Sequence, residues 1–243
     1  MRMLVTRPQP DASETAARLG ALGIVADVSP LLFHRTLLTS LPDPRGFAGV
    51  ALTSANAIRA LMERDVLEGW RQVEVFAVGT RTAAAARQAG FARVRIARGT
   101  LGDLVEMLSH AQLGGPVFYP AATHQSGDLA KSLAPFGVMV VTARVYEMAA
   151  ATALEAPVLE SLESGALGAA LFYSRRTAET FVALTGQALS DEARKRLGVL
   201  CISEGVAEPL VERHFVRVGL ADHPSEEGMM ALALSFARDQ NAP

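Results

Sequence analysis

The chain has 243 residues, half of them hydrophobic and a fifth charged, with 23 Lys plus Arg against 25 Asp plus Glu. This composition excludes intrinsic disorder, and the near-balance of charge leaves no global field to attract nucleic acid or an anionic membrane, so anion recognition must be local. The one cysteine, Cys201, sits in the apolar run Val199-Leu200-Cys201-Ile202, which excludes an internal disulfide and points to a reducing compartment.

Met1 to Pro8 lack the apolar core of a signal peptide, and no apolar stretch reaches the roughly 18 residues of a membrane span, so a cytoplasmic protein is expected. Short runs rich in Val, Ile and Phe alternate with longer Ala/Leu segments of helical spacing, the pattern of strands and helices around parallel sheets. In chain order the strand-like runs begin near Met3, Ile24, Gly49, Val73, Arg93, Pro116, Val138, Ala169, Val199 and Phe215. Helices are predicted at Ser13 to Leu22, Asn56 to Met62, Thr82 to Ala89 and Leu101 to His110 among others. Polar residues that can cap free N–H groups stand at their entries, as in Thr53-Ser54-Ala55-Asn56.

The second half of the chain repeats part of the first in pattern, though not in identity. Val50 to Asn56 lies on Ala170 to Arg176, each an apolar strand ending in a serine that opens a helix. Val75 to Thr80 with its helix lies on Val199 to Glu204 with its helix. Val94 to Ala97, followed by Thr100 to Leu108, lies on Val216 to Ala221, followed by Ser225 to Leu234. Ten runs split evenly predict two five-stranded, flavodoxin-like sheets with helices on both faces and the chemistry in the cleft between two lobes. Two strands precede each repeated block; either they belong to the block that follows, or they are exchanged.

Leu4-Val5-Thr6-Arg7-Pro8, Leu52-Thr53-Ser54-Ala55-Asn56-Ala57-Ile58, Ala77-Val78-Gly79-Thr80-Arg81-Thr82-Ala83 and Ala143-Arg144-Val145-Tyr146-Glu147, in this order, resemble uroporphyrinogen-III synthase. Looser matches are Phe172-Tyr173-Ser174 and His223-Pro224-Ser225. The resemblance implies the exchange: one lobe from residues 1–33 plus 149–243, a second from 35–146, and a two-stranded hinge near Phe33 to Arg35 and Arg144 to Glu147. It implies a lyase that closes hydroxymethylbilane, a linear tetrapyrrole with eight carboxylates, into uroporphyrinogen III with loss of water and inversion of ring D. Neither cofactor nor metal is implied, and a monomer is expected.

For such a polyanion, helix N-termini after strand ends supply N–H donors and a partial positive charge. The candidates are Thr53 and Ser54; Thr80, Arg81 and Thr82; Ser174, Arg175 and Arg176; and Ser203, with Arg7 beside the first strand. Each arginine has an alternative as a solvated loop residue. Tyr146 matches a tyrosine of the family that faces the cleft, where a neutral phenol with an ordinary pKa of about 10 can hydrogen-bond to the departing hydroxyl; its alternative is packing at the hinge. Thr82 is either a cleft residue or a helix cap. The family's Thr-Ala is replaced by Val206-Ala207, so Ser203 or backbone must serve there. Glu226 and Glu227 read as favourable charges at the start of the last helix. His34, His110, His124, His214 and His223 show no ligand spacing, and GxGxxG, GxxxxGK[ST] and GxSxG are missing. The competing class is a two-lobed, non-catalytic sensor for a small anionic ligand.

Overall fold

The computed structural model describes residues 1–125 and 127–240. It divides into two compact units, Met1–Phe33 with Ala149–Pro243 (the terminal unit) and His34–Met148 (the middle unit).

In the terminal unit, β1 (Arg2–Val5), β2 (Val25–Val28), β9 (Ala169–Phe172), β10 (Gly198–Cys201) and β11 (Arg217–Leu220) form a parallel sheet in the order β11-β10-β9-β1-β2. Read from β2, this is the flavodoxin order 2-1-3-4-5. The strands β1, β9 and β10 are buried on both faces except at Arg2, which explains their reading as continuous apolar runs. One face carries α6 (Ala156–Ser164), α7 (Arg175–Thr185), α8 (Asp191–Arg196) and α9 (Glu204–Val211) over a core of Phe172, Phe181 and Phe215. The other carries α1 (Asp11–Ala21) and α10 (Glu226–Gln240) over Met3, Leu19 and Met229.

In the middle unit, β4 (Gly49–Leu52), β5 (Glu74–Ala77), β6 (Val94–Ile96), β7 (Val117–Ala122) and β8 (Val140–Ala150) pair in parallel in the order β8-β7-β4-β5-β6. One face buries Trp70 stacked on Phe118 at 4.3 Å with α2 (Ala55–Glu63) and α3 (Thr80–Gln88). The other buries Phe76 and Tyr119 with α4 (Leu101–Ser109) and α5 (Leu129–Leu133). Each of these fully buried large side chains contributes about 1.5–3 kcal/mol of transfer free energy.

Strands β1 and β2 join β9–β11, whereas β7 and β8 join β4–β6. The repeated blocks occupy equivalent places: β4 and β9 are each the middle strand of five, next to a strand from outside the block. The middle unit is therefore a circular permutation of the flavodoxin order.

The even split into two five-stranded sheets is corrected by an eleventh strand, β3 (Leu32–Thr36), which makes the second sheet six-stranded. It is an edge strand beside β8, with Leu32 buried and Phe33 and Arg35 exposed, so it lacks the apolar run that marks the others. Leu37 N–H donates to Val145 O and Ala151 N–H to Leu31 O, so β3 and β8 run antiparallel where the chain passes from one unit to the other. Among the described residues no helix is long and apolar enough to cross a membrane.

Candidate functional site in the middle unit

In the 2-1-3-4-5 order, loops diverge at the carboxyl ends of the strands where the order reverses, which leaves a crevice there. In the middle unit that point lies between β4 and β7. A cavity of about 300 Å³ occupies it, lined by Thr53 and Ser54 after β4, Gly99 and Leu101 after β6, His124 and Gln125 after β7, and the phenols of Tyr119 and Tyr146.

Tyr146 reaches this cavity because of a bulge. Along β8, Ala121 of β7 pairs with Arg144 but Ala122 pairs with Tyr146, so Val145 is the extra residue. Ala143 and Val145 face the core under α2 and α3, and strict alternation would send Tyr146 to the opposite face with Arg144. The bulge reverses the phase, so Tyr146 and Met148 pack on that same core.

The ring is then held from several sides. Tyr146 O accepts from Thr123 N–H at 2.9 Å, the His34 imidazole stacks on the phenol with centroids 5.5 Å apart and planes 22° apart, and Ser54 hydrogen-bonds the hydroxyl. Burial raises the phenol's pKa above its usual value of 10, opposed by the Ser54 bond. Tyr119 is raised by burial as well, with its OH 3.2 Å from Thr53 Oγ1. Both phenols are therefore protonated at neutral pH.

His34 is itself fixed. Its Nε2 lies 3.2 Å from Asn56 O in the first turn of α2, so Nε2 carries the proton and donates. Burial lowers its pKa, opposed by the Asn56 carbonyl and Glu63.

The predicted residues separate into three groups. Thr53 and Ser54 line the Tyr146 cavity, and Ser54 also caps α2 by accepting Asn56 N–H at 3.1 Å. Thr80, Arg81 and Thr82 line an adjoining cavity of about 390 Å³ that shares Val78 and Gly99 with the first. The cap of α3 is Gly79; Thr82 is its third helical residue and buried, so capping is not its role.

The third group lies in the terminal unit. Ser174 caps α7, accepting Thr177 N–H at 3.2 Å, whereas Ser203 precedes α9 exposed and makes no capping bond. Arg175 is exposed and pairs with Glu179 and Glu208. Arg176 lines a separate hollow with Ala150, Thr180 and Leu184. Arg7 is mostly buried and pairs with Asp11 at 2.9 Å and with Glu226, donates to Thr15 Oγ1 at 3.0 Å, and lies 4.0 Å from the Tyr173 ring centroid. Glu226 also accepts from Thr15 and Tyr173, so it is the hub of a network rather than only a helix-end charge.

Tyr119, His124 and Gln125, which line the cavity, and His34, which stacks on Tyr146, are not among the residues that sequence reasoning proposed. The signal for Tyr119 is its place near the end of a strand that becomes a switch-point strand once the exchange is known. Cys201 is fully buried, which pushes its thiol pKa up to about 12, so it is no nucleophile. Among the described residues no group of three or more His, Cys, Asp or Glu could hold a metal.

What the site offers is protonated phenols and hydroxyls around a crevice, suited to positioning and hydrogen-bonding a polar substrate. The chain matches the family profile described as "Uroporphyrinogen-III synthase HemD" over residues 13–231. Among solved structures it is similar to uroporphyrinogen-III synthetase from Helicobacter pylori 26695, with 21% identity, 97% of this chain and 100% of that one covered, and a TM-score of 0.68. It is also similar to a mutant uroporphyrinogen III synthase from the extremely thermophilic bacterium Thermus thermophilus, with 18% identity, 99% of each chain covered, and a TM-score of 0.54. At these identities the likeness speaks for the fold. No curated protein matches the chain. The profile spans nearly the whole sequence, and with the shared two-unit α/β fold it places the chain in the uroporphyrinogen-III synthase family, cyclising lyases of tetrapyrrole biosynthesis.

Proposed function

We propose that Tyr146 is the proton donor with which this enzyme converts hydroxymethylbilane to uroporphyrinogen III. The observation that carries the assignment is a protonated phenol, held by Thr123, His34 and Ser54, that opens into a cavity at the switch point of the sheet.

The substrate's hydroxyl leaves as water when its carbon–oxygen bond breaks with hydrogen-bond help from the phenol, giving an azafulvene. The substituted carbon of ring D attacks the electrophilic methylene carbon and forms a spiro intermediate. Fragmentation and re-closure at the free position invert the ring, and a proton is lost to restore the pyrrole. Free substrate cyclises without inversion, so the enzyme's task is geometry, and preorganised contacts supply it.

Carboxylates of the substrate are taken by Thr53, Ser54, Thr80, Arg81 and Thr82 of the middle unit, and by Ser174, Arg176 and Ser203 of the terminal unit. Arg7 and Arg175 enter this reading only through partner exchange, since each already faces two carboxylates. The reaction needs no cofactor or metal. We further infer a cytoplasmic monomer without nucleic-acid partners, supported by the balanced charge and the lone buried cysteine.

The test is to supply hydroxymethylbilane, oxidise the products and separate the uroporphyrin isomers. Isomer III is expected; isomer I alone overturns the reading, and affinity without turnover moves the chain to a sensor role.

A further inference from the structure

The Tyr146 cavity, at about 300 Å³, is at the lower limit of pockets for drug-sized ligands. A chain of four pyrroles with eight carboxylate arms exceeds it, so most of the substrate must lie in adjoining space. On one side that space is the hollow of Thr80, Arg81 and Thr82, already assigned. On the other is a larger concavity of about 640 Å³ that shares Gln125 and Gly127 with the Tyr146 cavity and reaches Arg144, Thr142, Thr123 and Asp128.

The β8 bulge builds this pair of neighbours. Arg144 lies before the phase reversal and Tyr146 after it, so residues two apart in sequence serve two adjoining cavities. The Arg144 backbone is fixed, its carbonyl accepting Thr39 Oγ1 at 2.7 Å, while its side chain is exposed. Among the described residues its guanidinium makes no ion pair. The one carboxylate in the lining, Asp128, is engaged as the cap of α5, where Oδ1 accepts Lys131 N–H at 2.9 Å. The concavity thus presents a planar, uncommitted cation with the hydroxyls of Thr123 and Thr142 nearby, the donor set that binds a carboxylate.

We propose that this concavity is a carboxylate subsite, in which Arg144 binds an acetate or propionate arm of the linear tetrapyrrole and so fixes the chain while one ring reacts at Tyr146. The inference rests on the functional reading above and adds to it a specificity-determining residue outside the helix N-termini.

The experiment is steady-state kinetics with hydroxymethylbilane on wild type, Arg144→Ala, Arg144→Lys and Arg144→Glu, with product isomers separated in each case. Lys195→Ala, which removes one exposed charge from the terminal unit, controls for net charge, and thermal unfolding checks each fold. Arg144→Ala is expected to raise KM about tenfold with kcat within about twofold of wild type. Lysine should recover most of the loss and glutamate should deepen it. The gap between wild type and Arg144→Ala should narrow as ionic strength rises, because an exposed charge contact is screened. Unchanged KM in both Arg144→Ala and Arg144→Glu, with wild type still forming isomer III, overturns the subsite and leaves the enzyme reading intact. Isomer I alone from wild type overturns both.

Discussion

The two units share one strand order, yet their switch points are used differently. In the terminal unit the point between β1 and β9 is filled from within. Arg7, Asp11, Thr15, Tyr173 and Glu226 satisfy one another, and burial together with the neighbouring Glu226 carboxylate pushes the Tyr173 phenol far above its usual range. In the middle unit the equivalent point between β7 and β4 is an open cavity, and among the described residues its two phenols bond only to the short hydroxyls of Thr53 and Ser54. The same topological opportunity holds α10 to the sheet in one unit and leaves an open cavity in the other. A flavodoxin-like crevice therefore does not announce a ligand; what distinguishes the two is whether its polar groups are already paired.

The largest effect that can break this comparison is at Tyr146. Tyr146→Phe keeps the ring and its stack on His34 but removes the hydroxyl. A fall in kcat of about 10²-fold or more is expected, the range of general acid catalysis, with KM little changed. Turnover equal to wild type would leave the phenol as packing and make the two switch points alike. Next in size is Glu226→Gln, which should destabilise the protein by about 1–3 kcal/mol in urea, because the mostly buried Arg7 loses an anionic partner. An unchanged midpoint would show that the network does not hold α10.

These two residues also show how much was legible. The repeat and the positions of ten strands follow from apolar runs, because buried parallel strands leave a continuous signal. Strand β3 leaves none, since an edge ribbon with alternating exposure looks like a loop. Ser54 is legible as a cap, and its bond to Asn56 N–H is present, whereas the role proposed for Tyr146 comes through resemblance. Glu226, however, meets Arg7 across 219 positions, a pairing that exists only because β1 joins the last block. The bulge at Val145 is invisible as well: nothing in Ala143-Arg144-Val145-Tyr146 says that alternation fails there, and it is the bulge that puts Tyr146 on the core under α2 and α3.

Smaller effects sharpen the comparison at helix entries. Ser54→Ala and Ser174→Ala should each cost about 1 kcal/mol, as both hydroxyls accept a first-turn N–H. Ser203→Ala should stay within about 0.5 kcal/mol, as its hydroxyl caps nothing. Equal costs at all three would remove the reason for assigning Ser203 to the substrate.

The most delicate effect is the pH dependence set by His34. Burial lowers its pKa below the ordinary 6.5, so the unfolded chain takes up a proton at a pH where the folded chain does not. Stability contributed by the neutral imidazole is complete above 6.5 and is lost as pH falls from 6.5 towards the folded value, where the curve levels off. Glu63, whose Oε2 lies 4.0 Å from Nδ1, favours the proton, and Arg59 opposes it. His34→Asn should therefore lose stability overall but flatten the decline of Tm below pH 6.5, and because the imidazole stacks on Tyr146, kcat should fall more than KM rises. A Tm profile in the variant that declines as steeply as in wild type would assign the pH dependence elsewhere; a matching kcat would reduce His34 to packing and leave Ser54 and Thr123 as the groups that aim the phenol.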